Sequence, residues 1–243
     1  MADFPPPYSV RVSPRAKNVI IKLIPDKGIE VVLPKGANRR DVPYFLEKRR
    51  DWIEHNIRKL EGKGLSLTPP ELVLPDEICF AASGKVFSVR RVENRKSGLR
   101  MRRNVDKLLL SGKGWSPEEE LEVLTRFVRS EARDFLVPEL KKISEELNLP
   151  FSKVFIRAQR KRWGSCSAKG NINLNMKLMF LPYRLARYVL IHELCHTVHL
   201  NHSAKYWRLV KMVEPNVDKL ERELSEAGRL VPAWINFQED QSL

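Results

Sequence analysis

Four of the chain's five histidines fall in one stretch, His192-Glu193-Leu194-Cys195-His196-Thr197-Val198-His199-Leu200-Asn201-His202. On a helix, His192 and His196 project from one face about 6 Å apart along the axis. Two imidazoles so spaced can each bring a nitrogen to about 2.0–2.1 Å from one Zn²⁺. Glu193 lies about 100° further round the axis, out of place as a ligand but able to reach water held at the ion. Such an ion lowers the pKa of water from about 15.7 towards about 7, and Glu193 is the base that takes the proton. This is the H-E-x-x-H arrangement.

A catalytic zinc usually has three protein ligands. His199, seven residues after His192, shares its helical face. Three ligands along one straight helix spread over about 10 Å, however, and do not close on one ion. His202 requires the helix to stop and the chain to fold back; Asn201 tolerates a left-handed stop, and Ser203 suits a new N-cap. This favours His202, leaving His199 as an outer partner or a transition-state donor. Glu214 is a third candidate.

Several elements must hold these groups in place. Alternation over residues 9–13 and 18–33, with a turn at Pro25-Asp26-Lys27-Gly28, predicts a β-hairpin. Asp41 caps a helical pattern through Phe45, Trp52, Ile53, Ile57 and Leu60, broken at Gly62 and Gly64. Residues 77–92 and 99–110 read as basic strands. Ser116-Pro117 followed by three glutamates predicts a helix to about Leu147, kinked or split at Pro138 and ended by Asn148. Strands are expected at 152–158 and 172–178, with turns at Trp163-Gly164 and Lys169-Gly170. A helix follows from Pro182 through the histidines, another starts at Ser203, and a last one ends at Gly228. The fold class is α+β: a β-rich basic part over 1–115 with one helix, then a helical catalytic domain with a small sheet over 116–243.

The 243 residues are 42% hydrophobic and 30% charged, which excludes general disorder. No apolar run reaches the roughly 18 residues of a membrane span. The beginning, Met1-Ala2-Asp3-Phe4 and three prolines, lacks a signal-peptide pattern, and three cysteines without a CxxC exclude a disulfide scaffold. The expected location is a reducing one, the cytoplasm. The net charge is +14, and residues 151–210 hold eleven basic side chains and a single acid, Glu193. A positive field round a site that handles anions is one reading of that stretch, and a solvated basic surface is the other.

Arg162-Trp163-Gly164-Ser165-Cys166-Ser167, Asn171-Ile172-Asn173-Leu174-Asn175, the run from Tyr188 to His196, Asn201-His202-Ser203 and Tyr206-Trp207 resemble the YgjP-like metal-dependent hydrolases, relatives of SprT-like and other zincin metallopeptidases. The resemblance is specific over 157–215 and looser elsewhere. It implies a zincin-like domain with His192, His196 and His202 as ligands of Zn²⁺ or another divalent metal and Glu193 as base. Cys195 stands where the family usually has a smaller residue such as alanine; a small hydrophobe there leaves the site intact.

The motif names hydrolysis without naming a substrate. For a peptide, Asn171–Met179 is the candidate edge strand, with Asn173 and Asn175 on one side. For a nucleoside triphosphate, an activity also attributed to the family, Arg157, Arg160, Lys161 and Arg162 supply charge. The basic strands (Arg90, Arg91, Arg95, Lys96, Arg100, Arg102, Arg103) offer a surface to nucleic acid. Trp163 reads as a core anchor and Cys166 as a buried neutral thiol.

Overall fold

Ile29, Val31 and Leu33 alternate towards one side of a central strand, and this alternation organises the first part of the chain. The computed structural model describes residues 4–25, 28–62, 67, 72–160 and 162–237. Strand β1 (Tyr8–Ser13) runs parallel to β3 (Gly28–Pro34), and β2 (Ile20–Ile24) pairs with β3 antiparallel, as the hairpin reading requires. The tip of that hairpin, residues 26 and 27, lies outside the described residues, as does Gly64. The three β3 side chains pack on Val42, Leu46 and Ile53.

The single helix expected after Asp41 is two, α1 (Val42–Glu47) and α2 (Arg50–Glu61). The break falls at exposed Lys48 and Arg49, where no buried side chain holds the register. Asp41 occupies the N-cap position without a side-chain cap bond; Asn38 caps the short 3-10 turn before it instead.

Two compact units divide the chain at Glu71/Leu72. The change of period near residue 115 therefore falls inside the second unit, and the reason is packing. Strands β4 (Glu77–Phe80), β5 (Lys85–Glu93), β6 (Arg100–Arg103) and β7 (Lys107–Gly112) form a sheet of order β4-β5-β7-β6. Its apolar face, with Phe80, Phe87, Leu108 and Leu110, shares one hydrophobic cluster with Leu121, Leu124 and Phe127 of helix α3 (Pro117–Leu147). Phe87 meets Phe127 edge-on at 5.0 Å between ring centroids. Two buried carboxylates of α3 tie down basic strand residues: Glu120 pairs with Arg91 at 2.7 Å, and Glu131 pairs with Arg103 at 2.7 Å and with Lys85 at 3.5 Å.

Helix α3 continues through Pro138 and is not split there. Proline removes one N–H and frees the carbonyl of Asp134. Both residues are exposed, so water can satisfy that carbonyl. The ends of α3 are as expected: Ser116 and Glu119 form a reciprocal capping box, and Asn148 adopts the left-handed conformation.

A second sheet, of order β8-β10-β9, brings the chain to the histidines. Strand β8 (Lys153–Arg157) is parallel to β10 (Asn171–Asn175), and β9 (Gly164–Cys166) is antiparallel to it. Gly164 opens a strand where a turn was expected; three residues are too few to show an alternation. The strand expected to reach residue 178 stops at Asn175, whose side chain caps a buried 3-10 turn, Met176–Phe180. Helices α4 (Tyr183–Cys195), α5 (Ala204–Val213) and α6 (Val217–Glu226) complete the unit. Among the described residues no helix is long and apolar enough to cross a membrane.

Ser116→Ala removes the side-chain half of the capping box. We expect urea unfolding to show a loss of about 1 kcal/mol with no change in the slope.

Candidate metal centre

Leu185, Val189, Ile191 and Leu194 bury helix α4 in the core and fix its rotation. Its last turn thus holds His192 and His196 rigidly. Helix α4 ends at Cys195, earlier than a stop at Asn201 would allow. Among the described residues Asn148 is the one non-glycine with positive φ, so Asn201 is not left-handed. Tight backbone bonds reverse the chain instead, Thr197 N–H to Leu194 and Val198 N–H to Cys195, helped by the Thr197 hydroxyl donating to Leu194 O at 2.8 Å. Ser203 then caps α5 through the Tyr206 N–H. His202, just ahead of that cap, is carried back over α4.

The three rings converge. His202 Nε2 lies 3.2 Å from His196 Nε2 and 3.2 Å from His192 Nε2. The ligand-capable atoms of the three all lie within 4.8 Å of one another. His196 Nδ1 is 2.9 Å from the backbone carbonyl of His199, an arrangement that places its proton on Nδ1 and its lone pair on Nε2. Its ring stacks on Tyr206 at 4.4 Å, and that tyrosine's hydroxyl donates to the His192 carbonyl at 3.2 Å. His202 stacks on Trp207 at 5.6 Å. His192 Nδ1 is buried, with Glu221 Oε1 3.9 Å away; Glu221 also accepts from the Tyr188 hydroxyl.

Burial, reinforced by His196 and His202, drives the His192 imidazolium out of favour and lowers its pKa to about 3. Burial also lowers His196, and the bond to His199 O opposes it. Both rings are thereby kept in the neutral form that ligates metals.

Glu193 is 4% exposed, and burial pushes its pKa up to about 8 against the charge of Arg162. Its Oε2 has no hydrogen-bond partner in the protein. A Cβ on Gly164 would lie 2.5 Å from Glu193 Oε1, so the bare glycine is what makes room for the carboxyl. Three imidazole nitrogens on one point, with a buried carboxyl beside them whose Oε2 has no hydrogen-bond partner, fit a divalent ion and the water it acidifies. The cavity there has a volume of about 410 Å³.

The other expected site residues do not all gather here. Arg162 lines the metal cavity. Arg160 lines a neighbouring cavity with Arg162 itself, Asn175 and Lys177, while Arg157 and Asn173 line a third; Lys161 lies outside the described residues. Asn175 is buried, its amide donating to the carbonyls of Gln159 at 2.7 Å and Arg162 at 2.9 Å. Asn173 donates to the Ser165 hydroxyl at 3.2 Å. His199 contributes its carbonyl to the centre rather than its ring. Glu214 is held by Arg187 at 3.4 Å and takes no part in the histidine cluster. Trp163 is half-buried, packing on the core and lining the cavity. Burial, with the charge of Glu193 behind it, raises the Cys166 thiol to about 11, so it stays neutral. Gly164 and Glu221 were not legible as site residues: a glycine carries no chemical signal, and Glu221 meets the histidines only through tertiary packing; Tyr188 sits one turn before His192 on α4, their rings 6.1 Å apart.

A helix carrying two imidazoles and a base, with a third imidazole returned by the next turn, defines a metallohydrolase type of centre. The model of the YgjP-like metallopeptidase domain matches residues 17–227, and the chain belongs to that family. Comparison with curated proteins finds no match. Among solved structures, the metallopeptidase zymogen of Pyrococcus abyssi abylysin is 26% identical, covering 38% of this chain and 94% of that one at a TM-score of 0.35. The zymogen of Methanocaldococcus jannaschii jannalysin is 20% identical, covering 37% and 94% at a TM-score of 0.34.

Two outcomes follow for this centre. His202→Ala should weaken zinc binding by at least about 100-fold in competition with a chromogenic chelator, whereas His199→Ala, which keeps its carbonyl, should leave affinity nearly unchanged. Gly164→Ala should retain zinc but cost about 100-fold in turnover, because the added methyl displaces the Glu193 carboxyl.

Proposed function

We propose that the protein is a zinc-dependent peptidase in which His192, His196 and His202 hold the ion and Glu193 is the general base. The observation that carries this reading is the meeting of three imidazoles beside a buried carboxyl whose Oε2 has no hydrogen-bond partner. When bound, the ion supplies Lewis acidity towards a carbonyl oxygen and towards water. Glu193 takes the water's proton and hands it to the leaving amine. Burial favours the protonated form that Glu193 takes once it has accepted that proton. Gly164 holds the carboxyl from one side and α4 from the other. Arg162 places a positive charge near Glu193, at the rim where a tetrahedral oxyanion would form.

Strand β10, the expected platform for a peptide, is flanked on both edges by β8 and β9, and its backbone groups are taken. Strand β9 has one edge without a partner strand among the described residues, and its three residues line the metal cavity. We place the substrate main chain along β9 by strand addition.

The nucleotide reading rested on a basic run acting together. Arg160 and Arg162 line one cavity with Lys177, and Arg157 lines another; of the three arginines only Arg162 also borders the metal cavity, so the run does not gather at the histidines. Of the basic strand residues, Arg91 and Arg103 are engaged by α3. The structure offers no further support for nucleic acid.

Zinc-loaded protein should release peptides from denatured casein and no pyrophosphate from the four nucleoside triphosphates. Glu193→Gln should keep the zinc and lose at least about 100-fold in peptide release. Undiminished activity in that variant would remove the base assignment.

A further inference from the structure

Among the described residues Lys177 is the one buried lysine, 5% exposed. It stands between Met176 and Leu178 in the 3-10 turn after β10 and borders a cavity of about 220 Å³. Burying an ammonium is costly, and a neutral donor would hold the same loop at less expense. The Lys177 Nζ donates to the Gln159 carbonyl at 3.4 Å, but that carbonyl already accepts from the Asn175 amide at 2.7 Å, so the loop is tied without a charge. Arg160 and Arg162 line the same cavity, and no described residue on its wall is acidic. Arg162, Trp163 and Leu224 border both this cavity and the metal cavity, so the two adjoin. Strand β9 begins at Gly164, directly after Arg162 and Trp163. A main chain laid along its open edge therefore leads, at that end, towards the cations.

We infer that this second cavity is a subsite for a carboxylate of the peptide substrate, carried by an acidic side chain or by the chain end, with Lys177 and Arg160 as its cations and Arg162 between it and the metal centre. The inference rests on the peptidase reading. Cutting a peptide bond at the histidines requires no such cations, so they bear on which peptide is cut. The 220 Å³ is smaller than the about 300–1,000 Å³ of pockets that enclose a whole small molecule, which suits a carboxylate group and not a nucleotide. A wall partly withdrawn from water strengthens the attraction between cation and carboxylate. An amide of the same shape offers no charge, so a discrimination of about tenfold or more between acid and amide is within reach.

The test uses the zinc-loaded full chain and peptides with one cleavable bond. In one set glutamate replaces glutamine at a single position on either side of the bond; in the other the peptide ends in a free carboxylate or an amide at increasing distance. Wild type should cleave the acid form at least about tenfold better in kcat/KM at one position and on one side of the bond. The set that shows the effect names the source of the carboxylate. Arg160→Glu, at an exposed position, should bring that ratio below about twofold while zinc affinity stays within about threefold. Lys177→Met, close in length but without the charge, should do the same. Equal cleavage of acid and amide at every position, or a preference that neither variant moves, would overturn the subsite and leave the peptidase standing. Pyrophosphate release from a nucleoside triphosphate that Arg160→Glu abolishes would overturn a carboxylate as the occupant. Failure of zinc-loaded wild type to cut any peptide would overturn both readings.

Discussion

Three imidazole nitrogens brought to within about van der Waals contact of one another are an unfavourable arrangement unless something shares their lone pairs. Every neighbouring feature serves to hold them there. Each ring must offer a lone pair to an ion, and burial disfavours adding a proton to His192 or His196. The rings must also be turned so that the correct nitrogen points inwards. The His199 carbonyl does this for His196, aromatic faces do it for His196 and His202, and the core packing of α4 does it for His192. Tyr206 serves two rings at once. It stacks on His196 and bonds the backbone of His192, so the helix that begins after His202 is clamped to the helix that carries His192.

The lone acid of residues 151–210 fits the same logic. A carboxylate among eleven cations would ordinarily be held ionised. Glu193 goes the other way because it lies under the surface, with Arg162, among the described residues, the cation whose charge acts on it. Desolvation wins over charge, and the result is a group suited to receiving a proton and giving it back. The rest of the positive charge is dispersed over several surfaces.

The centre was legible because its chemistry is local. Two histidines four apart on an apolar helix can be read from spacing, and a third after a turn can be read from the need to close on one ion. The capping box at Ser116 and the left-handed Asn148 were legible for the same reason, since each is decided within a few residues. Long-range choices were not. The pairing of β10 on both edges depends on where β8 and β9 come to rest, and β9 is too short to announce itself. The joining of the basic sheet to α3 depends on Glu120 and Glu131, acids whose burial no local pattern reveals. Pro138 does not split α3, since at an exposed turn the carbonyl it frees can turn to water.

The contact between Gly164 and Glu193 fixes something about the enzyme that charge alone does not. The carboxyl lies against bare main chain, so its reach is gauged from both ends. A shorter acid on α4 would leave a gap that the glycine has no atoms to fill, and a bulkier residue in the strand would close the slot altogether. The two positions, far apart along the polypeptide, can vary only as a pair.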